Sequence, residues 1–422
     1  MLDLLLLAQK TVPDFFWDAR SGVLPPGATF TRGSSGWYFN SAGVLTQAGT
    51  NAARFDYDPN TRTALGYLAE MQSTNSVLQS QNFATEWTPS NIALTDNAAT
   101  APDGTSTAAT MLLSAGSNLH QLQSSASFSY INGSVYGVSV FVKAITGGSW
   151  VQFTFGGNSG YNFQPSTGTI GSALTGSQSN FLARQLANGW WRISFHFTAT
   201  ATTSSVVAVN FVNSSNATPA PTITGDGIST IAIWGFQFET ANVGVTSYIP
   251  TGGSTVTRSA DLLTLPLSSL SGWKPGRGGV LVATYRLHTI KSQQEQSAAF
   301  LSDGGGNLID CRVQSGAQFG ASASGMLMRN ANNIQINVAN NIFPVPTAFL
   351  RRRQAFAWSV SRAQMATDGV MTIAENGSWL LPVGMTTLYL GGNASDSLNG
   401  TLESLAYYAD ARSDAFVQAV TQ

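Results

Sequence analysis

The chain has 422 residues, enough for about three domains of roughly 150 residues, each with its own hydrophobic core. Charged residues make up only 10% of it and the formal net charge is -1, which gives no electrostatic basis for binding nucleic acid or an anionic membrane. The single cysteine, Cys311, excludes an internal disulfide framework and most thiolate metal sites. Gly accounts for 42 residues, as expected for an all-β protein with many tight turns.

Residues 1–28 are predicted to form an amino-terminal arm. The leucine run at residues 1–8 is too short to span a membrane or to form the apolar part of a signal peptide. Aromatic residues follow at 15–17, and Pro25-Pro26-Gly27 then stops regular structure. This apolar surface is expected to be buried, either against the first sandwich of the same chain or against another protein. We favour docking to another protein.

Residues 29–80 contain short strand-like pieces. Asp56 and Asp58 alternate with Phe55 and Tyr57, which predicts a strand with one wet face. The two carboxylates could bind calcium, but a solvated strand edge explains them more simply.

Residues 81–260 have the clearest alternation of apolar and polar side chains and are predicted to form the first β-sandwich. The alternating runs lie at 136–142, 151–155, 191–198 and 207–211. Asn-Gly and Asp-Gly pairs between such runs are typical of hairpin turns, so the pattern predicts a jelly-roll or related antiparallel sandwich.

The last strand of this region is predicted to be buried on both faces. Ile231 and Ile233 fall on one face, Trp234, Phe236 and Phe238 fall on the other, and Gly235 is a candidate bulge. The strand ends at Glu239, and a run rich in Gly, Ser and Thr then leads to a new start at Ala260.

Residues 261–422 are predicted to form a second β-sandwich with a closing helix from about Ser413. The strand candidates AWSVS, LYLGG and LNGTLESLAYY follow one another with Asn-Gly turns between them. Their order resembles the concanavalin-like or laminin-G-like fold. The overall prediction is therefore two antiparallel β-sandwiches behind a short amino-terminal arm.

Several separated motifs resemble one family. WGFQFE, TSYIPT and TRSAD lie in that order at 234–261, and ARFDYDPNT, GYLAE and NGWWRISF precede them. Together they are similar to the carbohydrate-binding-module-like β-sandwich of bacteriophage head spikes, tail fibres and minor virion proteins. The resemblance covers residues 29–261.

This resemblance implies a virion subunit that attaches to a polysaccharide of the host cell surface. Such a subunit is assembled in the bacterial cytoplasm without a signal peptide, docks to other virion proteins through its arm and forms a symmetric trimer or pentamer. Two alternatives remain: a purely structural capsid or fibre-base protein, and a polysaccharide depolymerase.

The sequence contains no recognisable catalytic signature. The three histidines, His120, His196 and His288, lie far apart without a zinc-binding spacing, and His196 is predicted to lie on the outer face of a strand. Glycoside hydrolysis needs two carboxylates across a cleft, and no spacing selects such a pair. We therefore predict a protein that is not an enzyme.

Sugar binding requires an aromatic face and polar partners for hydroxyl groups. The candidate stacking residues are Trp87, Trp150, Tyr161 and Trp379. Asn158 and Asn162 are candidate partners for hydroxyl groups, although a tryptophan in a sandwich is more often a core residue.

Calcium is the metal that a lectin-like fold would most plausibly bind, through oxygen ligands. Asp303, Asn307 and Asp310 form the first candidate cluster. A second consists of Asn393, Asp396 and Asn399, although these residue types also simply make turns.

The basic run at 351–353 could bind acidic sugars or phosphate. A solvated strand edge that opposes aggregation explains it more simply.

Overall fold

A computed structural model describes residues 12–240, 242–289, 295–314, 324–340 and 349–422. This part of the chain is almost entirely antiparallel β-structure, as predicted. The leucine run of the predicted arm lies outside it. None of its helices is long and apolar enough to cross a membrane.

The strands before residue 80 are β1 Phe15–Asp18, β2 Thr29–Thr31, β3 Gly36–Phe39, β4 Leu45–Ala48, β5 Phe55–Tyr57, β6 Ala64–Ala69 and β7 Ser73–Asn75. The next group is β8 Trp87–Ser90, β9 Ile92–Ala99, β10 Ala108–Leu113, β11 Gly116–Asn118, β12 Gln121–Ser124, β13 Phe128–Tyr130, β14 Val135–Thr146, β15 Trp150–Phe155, β16 Ser159–Gln164, β17 Thr169–Ala173, β18 Gln178–Gln185, β19 Trp190–Thr198, β20 Thr203–Ser205, β21 Val207–Val212, β22 Ile223–Gly225 and β23 Thr230–Phe238.

The strands after residue 255 are β24 Val256–Arg258, β25 Leu262–Pro266, β26 Gly279–Leu287, β27 Gln296–Ser302, β28 Leu308–Gln314, β29 Ser324–Asn330, β30 Asn333–Asn340, β31 Arg351–Trp358, β32 Arg362–Thr367, β33 Val370–Asn376, β34 Thr387–Leu390 and β35 Gly400–Ala409. Short 3-10 turns occur at Ala19–Ser21, Ala187–Gly189 and Leu267–Ser269, and helix α1 is Asp414–Ala419.

The first sandwich consists of two sheets packed face to face. One has the strand order β18-β19-β14-β23-β10-β9 and the other has the order β17-β16-β15-β21-β12-β8. Aromatic rings meet between the sheets, with Phe153 at 5.3 Å from Phe195 and Phe155 at 4.7 Å from Phe197 between ring centroids. The alternating runs of the sequence therefore form this core, as predicted.

Strand β23 departs from the predicted alternation at a bulge. Gly235 has a φ of 65°, and the register between β14 and β23 shifts beside it. Because of this extra residue, Phe236 and Phe238 return to the inner core with Ile231 and Ile233. Only Trp234 points the other way, so the predicted division of the aromatic residues between the two faces was wrong.

The outer face of this sheet is covered by the hairpin β3–β4. Phe39 and Leu45 of the hairpin pack with Phe141, Trp234 and further aromatic residues in a small second core. The hairpin therefore attaches residues 36–48 to the first sandwich, although its neighbours in sequence belong elsewhere.

The second sandwich also consists of two packed sheets. One has the order β33-β32-β31-β26-β35-β6-β5, with β1 paired to β35, and the other has the order β2-β25-β34-β27-β28-β29-β30. Their shared core is a large cluster of buried residues from both sheets. The predicted closing helix is α1, which begins directly after Ser413 and packs on the outer face through Val417. Ser413 caps it by accepting a hydrogen bond from Phe416 N.

The amino-terminal strands are part of this second sandwich. Trp17 in β1 lies opposite Leu405, and Leu68 in β6 lies opposite Thr401. The described parts of the predicted arm (1–28) and of the predicted β-rich segment (29–80) thus supply strands to the sheets formed by 261–422. Local patterns cannot reveal such pairing, because the partners lie more than 300 residues apart along the chain.

A buried ionic network lies where the two sandwiches and the amino-terminal strands meet. Its members are Arg32, Arg54, Glu70, Arg258 and Asp261, whose side chains are at most 2% exposed. Arg32 and Asp261 are 2.9 Å apart, Arg54 and Glu70 are 2.8 Å apart, and Arg54 also pairs with Asp261. Arg258 lies 3.5 Å from Glu70 and 3.7 Å from Asp261.

The network keeps Glu70 ionised inside the protein. Burial alone would raise the pKa of Glu70, but Arg258, Arg54 and hydrogen bonds from Ser247 bring it well below its usual range. Ser247 Oγ donates to Glu70 Oε2 at 2.6 Å and accepts from Arg54 Nη1 at 2.7 Å. Removing one member would therefore leave buried charges without partners.

Replacing Arg54 with Ala is expected to lower the free energy of unfolding by about 3–5 kcal/mol, because Glu70 and Asp261 lose their shared cation. Arg277→Ala is the matched control, since Arg277 pairs with Asp410 at 3.6 Å on the surface. We expect the control to change stability by less than about 0.5 kcal/mol. Urea denaturation followed by tryptophan fluorescence measures both variants, and equal effects would contradict this role.

Candidate functional site

Trp87 is a core residue rather than a loop aromatic. Its side chain is 6% exposed, its ring centroid lies 4.3 Å from that of Phe236, and its Nε1 donates to Gln79 O at 3.2 Å. The ring therefore has no free face on which a sugar could stack.

The structure places the next candidates on or beside neighbouring strands of the first sandwich. Tyr161 packs against Phe181 at 4.5 Å between ring centroids, and Trp150 is half-buried at the start of β15. Asn162 is fully buried, accepts from Gln152 Nε2 at 3.0 Å and donates to Ala217 O at 3.1 Å. Asn158 lies exposed in the turn before β16. None of the four lines the clefts described below.

Trp379 lies on the second sandwich, away from the other candidates. Its ring is half-buried against the core of that sandwich, and its backbone N donates to Val360 O at 2.9 Å. The predicted sugar-binding residues therefore do not come together in one site.

The three candidate calcium ligands are separated by their secondary structure. Asn307 Nδ2 donates to Asp303 Oδ2 at 2.6 Å, and Asp303 also accepts the backbone N–H of Gly305 at 2.7 Å, so these two residues close a turn. Asp310 lies in β28, is 1% exposed and accepts hydrogen bonds from Arg312 Nε at 2.6 Å and from Ser297 Oγ at 2.5 Å. In the described ranges no group of three His, Cys, Asp or Glu residues could hold a metal ion.

The alternative cluster is part of the contact between the sandwiches. Asn399 is buried, donates to Val243 O at 3.0 Å and accepts from Met71 N at 2.9 Å. Asn393 and Asp396 hydrogen-bond to each other in a turn.

The three arginines of the basic run at 351–353 each have a partner within the chain. Arg351 makes a two-point contact with Glu403, with Nε–Oε2 and Nη2–Oε1 distances of 2.9 Å. Arg352 pairs with Asp368 at 2.6 Å, and Arg353 Nη1 donates to Gln422 O at 3.1 Å. This run is therefore a strand edge with internal partners rather than a free basic patch.

One cleft lies at the junction of the sandwiches, and we call it the junction cleft. Its lining includes Asp56, Arg184, Arg192, His288 and Phe349. Arg184 lies over the ring of Phe349 at 4.8 Å, and its Nη2 is 3.8 Å from Asp56 Oδ2. Arg184 Nε, Arg192 Nε and His288 Nε2 are buried without a hydrogen-bond partner.

Burial controls the acid–base behaviour of this cleft. It raises the pKa of Asp56 to about 6, against the attraction of Arg184, and it lowers the pKa of His288 to about 3. Asp56 is 2% exposed and accepts Phe39 N at 2.7 Å, so the predicted wet strand edge was wrong for this residue. The cleft is narrow and has room for only a few waters.

His196 lies on the outer face of β19, but this face is buried between the sandwiches. It is 3% exposed, its Nδ1 lies 3.1 Å from Asn180 Nδ2, and its Nε2 lies 3.0 Å from Thr289 Oγ1 of the second sandwich. Burial lowers its pKa to about 4. The alternation was right, but the outer face of β19 is covered by a part of the chain that sequence reasoning did not place there.

A second cleft is wide enough for a sugar ring, and we call it the cationic cleft. Four turns and one strand line it: residues 42–44, Arg62, residues 100–102 with Gly104, residues 186–188 with Trp190, and Lys143 of β14. It contains about 930 Å³ of non-atom space, part of it open to solvent. The exposed side chains of Thr100 and Asn188 in its wall offer a hydroxyl and an amide to ligand hydroxyl groups.

Arg62 and Lys143 give this cleft its charge. Neither side chain makes a hydrogen bond or ion pair with any residue that the structure describes. None of the described lining residues is acidic. Asp103 lies between two lining residues, but its carboxylate accepts hydrogen bonds from Thr105 N at 3.0 Å and Thr105 Oγ1 at 2.7 Å.

Sequence reasoning missed this cleft because its residues are ordinary in their local context. Arg62 follows a turn, and Lys143 is a polar position in an alternating strand. The one available signal was the Asn188-Gly189 turn, which forms part of the wall.

No protein-family model matches the chain, and no curated protein matches it. Similar solved structures include the CBM40 of the Ruminococcus gnavus IT-sialidase bound to α2,3-sialyllactose, at 16% identity and a TM-score of 0.29, covering 36% of this chain and 88% of that one. Domain 4 of the Geobacillus stearothermophilus arabinanase AbnA in complex with arabinotriose is similar at 14% identity and a TM-score of 0.31, covering 42% and 82%. Xenopus laevis galectin-Ib is similar at 12% identity and a TM-score of 0.22, covering 32% and 96%. With TM-scores below 0.5, these similarities carry no argument about this chain.

The two neutral histidines between the sandwiches predict acid sensitivity. Their folded-state pKa values lie below the usual 6.5, so below pH 6.5 the unfolded chain binds more protons and stability falls as pH falls toward about 4. Each histidine contributes at most about 1.4 kcal/mol per pH unit over this range.

The double variant His196→Gln/His288→Gln should therefore lose less stability than the original protein between pH 6.5 and pH 4.5. Asp56 changes stability in the opposite direction, because its raised pKa favours the folded state as pH falls below 6. Since Asp56 is present in both proteins, its contribution cancels in the comparison. Denaturant titrations at the two pH values measure the difference. An identical pH dependence in the two proteins would refute the assignment.

Proposed function

We propose that this chain is a non-enzymatic subunit of a phage or phage-like virion that binds a polysaccharide on the surface of a bacterial host. The cationic cleft is the observation that carries the binding role. It is the wider of the two clefts described above, and Thr100 and Asn188 in its wall offer hydrogen-bonding groups of the kind that sugar hydroxyl groups require. The polysaccharide would bind there, at the contact between the β3–β4 hairpin and the first sandwich.

We propose binding rather than cleavage because of the chemistry of the same cleft. Glycoside hydrolysis ordinarily uses a pair of carboxylates across the scissile bond. The described lining of the cationic cleft offers Arg62 and Lys143 but no carboxylate. The neutral side chains of Thr100 and Asn188 can hold a sugar without providing an acid or a base.

The virion role rests on the resemblance of the sequence motifs to phage spike and fibre proteins. In a trimer or pentamer each subunit would present one cationic cleft, so weak binding at a single cleft would be multiplied by avidity.

A structural role is the second candidate, and one observation favours it. Val12, Phe16 and Val23, near the amino end, are 68%, 59% and 65% exposed. Apolar side chains left open in this way are typical of contacts with other proteins, so this end of the chain could dock to another virion protein.

Filling the cationic cleft should abolish polysaccharide binding. Thr100 is exposed in its wall, and Thr100→Trp would occupy the space of a sugar ring without changing a charge. We expect at least about a tenfold loss of binding to host cells, while Thr169→Trp, at an exposed position of β17, should bind as the original protein does.

The assay uses a panel of bacterial strains, each compared with cells stripped of capsule or lipopolysaccharide. Binding that disappears with the polysaccharide and with Thr100→Trp supports the proposal. Binding to no strain, together with co-assembly with capsid or tail proteins, would replace it with the structural role. New reducing ends released from capsule would instead identify a depolymerase.

A further inference from the structure

Most cations of the described chain have an ion-pair or hydrogen-bond partner within it. Cations without such a partner are therefore candidates for binding a ligand. The buried arginines pair in the ionic network, and each arginine of the basic run at 351–353 has a partner, which is Glu403, Asp368 or a backbone carbonyl. Arg62 and Lys143, which come from different segments, are unpaired and line the same cleft. Two unneutralised cations at one polar cleft indicate an anionic partner.

The backbone holds Arg62 in an unusual conformation at this cleft. Its φ is 62°, in the left-handed region that residues other than glycine rarely adopt. The turn that imposes it is closed by Arg62 N donating to Asp58 O and by Asp58 N donating to Thr63 O, both at 2.8 Å. The Asp58 carboxylate also accepts from Thr61 N at 2.7 Å. A closed turn of this kind fixes where the Arg62 side chain begins.

Lys143 is positioned from the opposite wall. It lies in β14, between Trp190 of β19 and Ala232 of β23 in the sheet register. Its aliphatic stem passes Gly189, where an added Cβ would lie 3.8 Å from Lys143 Cε. The ammonium group thus extends from a rigid strand beside the Asn188-Gly189 turn.

We propose that the cationic cleft binds the carboxylate of an acidic sugar unit in a polysaccharide. The guanidinium of Arg62 can hold a carboxylate through two parallel hydrogen bonds, and Lys143 adds a second positive charge. The exposed hydroxyl of Thr100 and the exposed amide of Asn188 serve the hydroxyl groups of the same unit. This inference rests on the proposed function and names its ligand class.

Arg62→Gly separates binding from stability, because glycine adopts a positive φ without strain. Lys143→Met keeps the aliphatic stem and removes the charge. The double variant Arg62→Gly/Lys143→Met should therefore melt no lower than the original protein and lose at least about tenfold in affinity for an acidic polysaccharide. Lys274→Met/Arg277→Met removes the same charge from an exposed loop of the second sandwich and should bind as the original protein does.

The probes are polygalacturonate, alginate and hyaluronan, each compared with its methyl ester, together with neutral dextran and a teichoic acid whose charge is phosphodiester. We expect at least one carboxylated polysaccharide to bind about tenfold more tightly than its ester, and this preference to weaken as salt rises from about 0.05 to about 0.5 M. Microarray binding followed by calorimetry measures both effects.

Each other result overturns the inference in a different way. Esters that bind as well as the acids, or a double variant that binds as the original does, would exclude a carboxylate held by Arg62 and Lys143. Tighter binding of teichoic acid than of every carboxylated polysaccharide would assign the cleft to phosphate. Binding of neutral polysaccharide that is blocked by Thr100→Trp but unaffected by the double variant would leave the proposed function intact and remove only this inference.

Discussion

The two sandwiches depend on a set of charges buried where they meet. Moving an ionised side chain out of water costs several kcal/mol, and the cost is offset only when all its partners are in place. Arg32 and Arg54 come from the amino-terminal strands, Glu70 follows β6, and Arg258 and Asp261 lie at the restart of the chain. None of these segments can bury its charge alone, so the network couples the assembly of distant parts of the chain.

The network has one positive charge in excess, and neutral acceptors compensate for it. Arg32 donates to the backbone carbonyls of Ser34 and Gly49, at 2.9 and 2.8 Å, and Arg258 donates to Met71 O at 2.6 Å. Burial lowers the pKa of Arg32, while Asp261 opposes that shift. The guanidinium group suits this position because it presents several donors in fixed directions.

The motifs that resemble phage virion proteins encode this junction. ARFDYDPNT supplies Arg54, TSYIPT supplies Ser247, and TRSAD supplies Arg258 and Asp261. Glu239, which ends WGFQFE, is buried and accepts from Thr246 N at 2.9 Å and from Ser73 Oγ at 3.0 Å. The resemblance therefore describes how the segments are joined, and the residues that contact a ligand have to be sought elsewhere.

Sequence reasoning succeeded where a strand's own alternation decides burial and failed where a distant segment decides it. The runs in β14, β15, β19 and β21 form the first core as predicted. The bulge at Gly235 turns Phe236 toward the inner face of its sheet, and the second sandwich covers His196. The basic run at 351–353 was conspicuous in sequence, yet each of its arginines has a partner from a distant part of the chain. Arg62 and Lys143 were inconspicuous, and they became candidates only because the fold brings them to one cleft without a carboxylate. In a chain with so few charges, whether a cation has a partner in the fold is thus a better guide to ligand binding than whether cations cluster in the sequence.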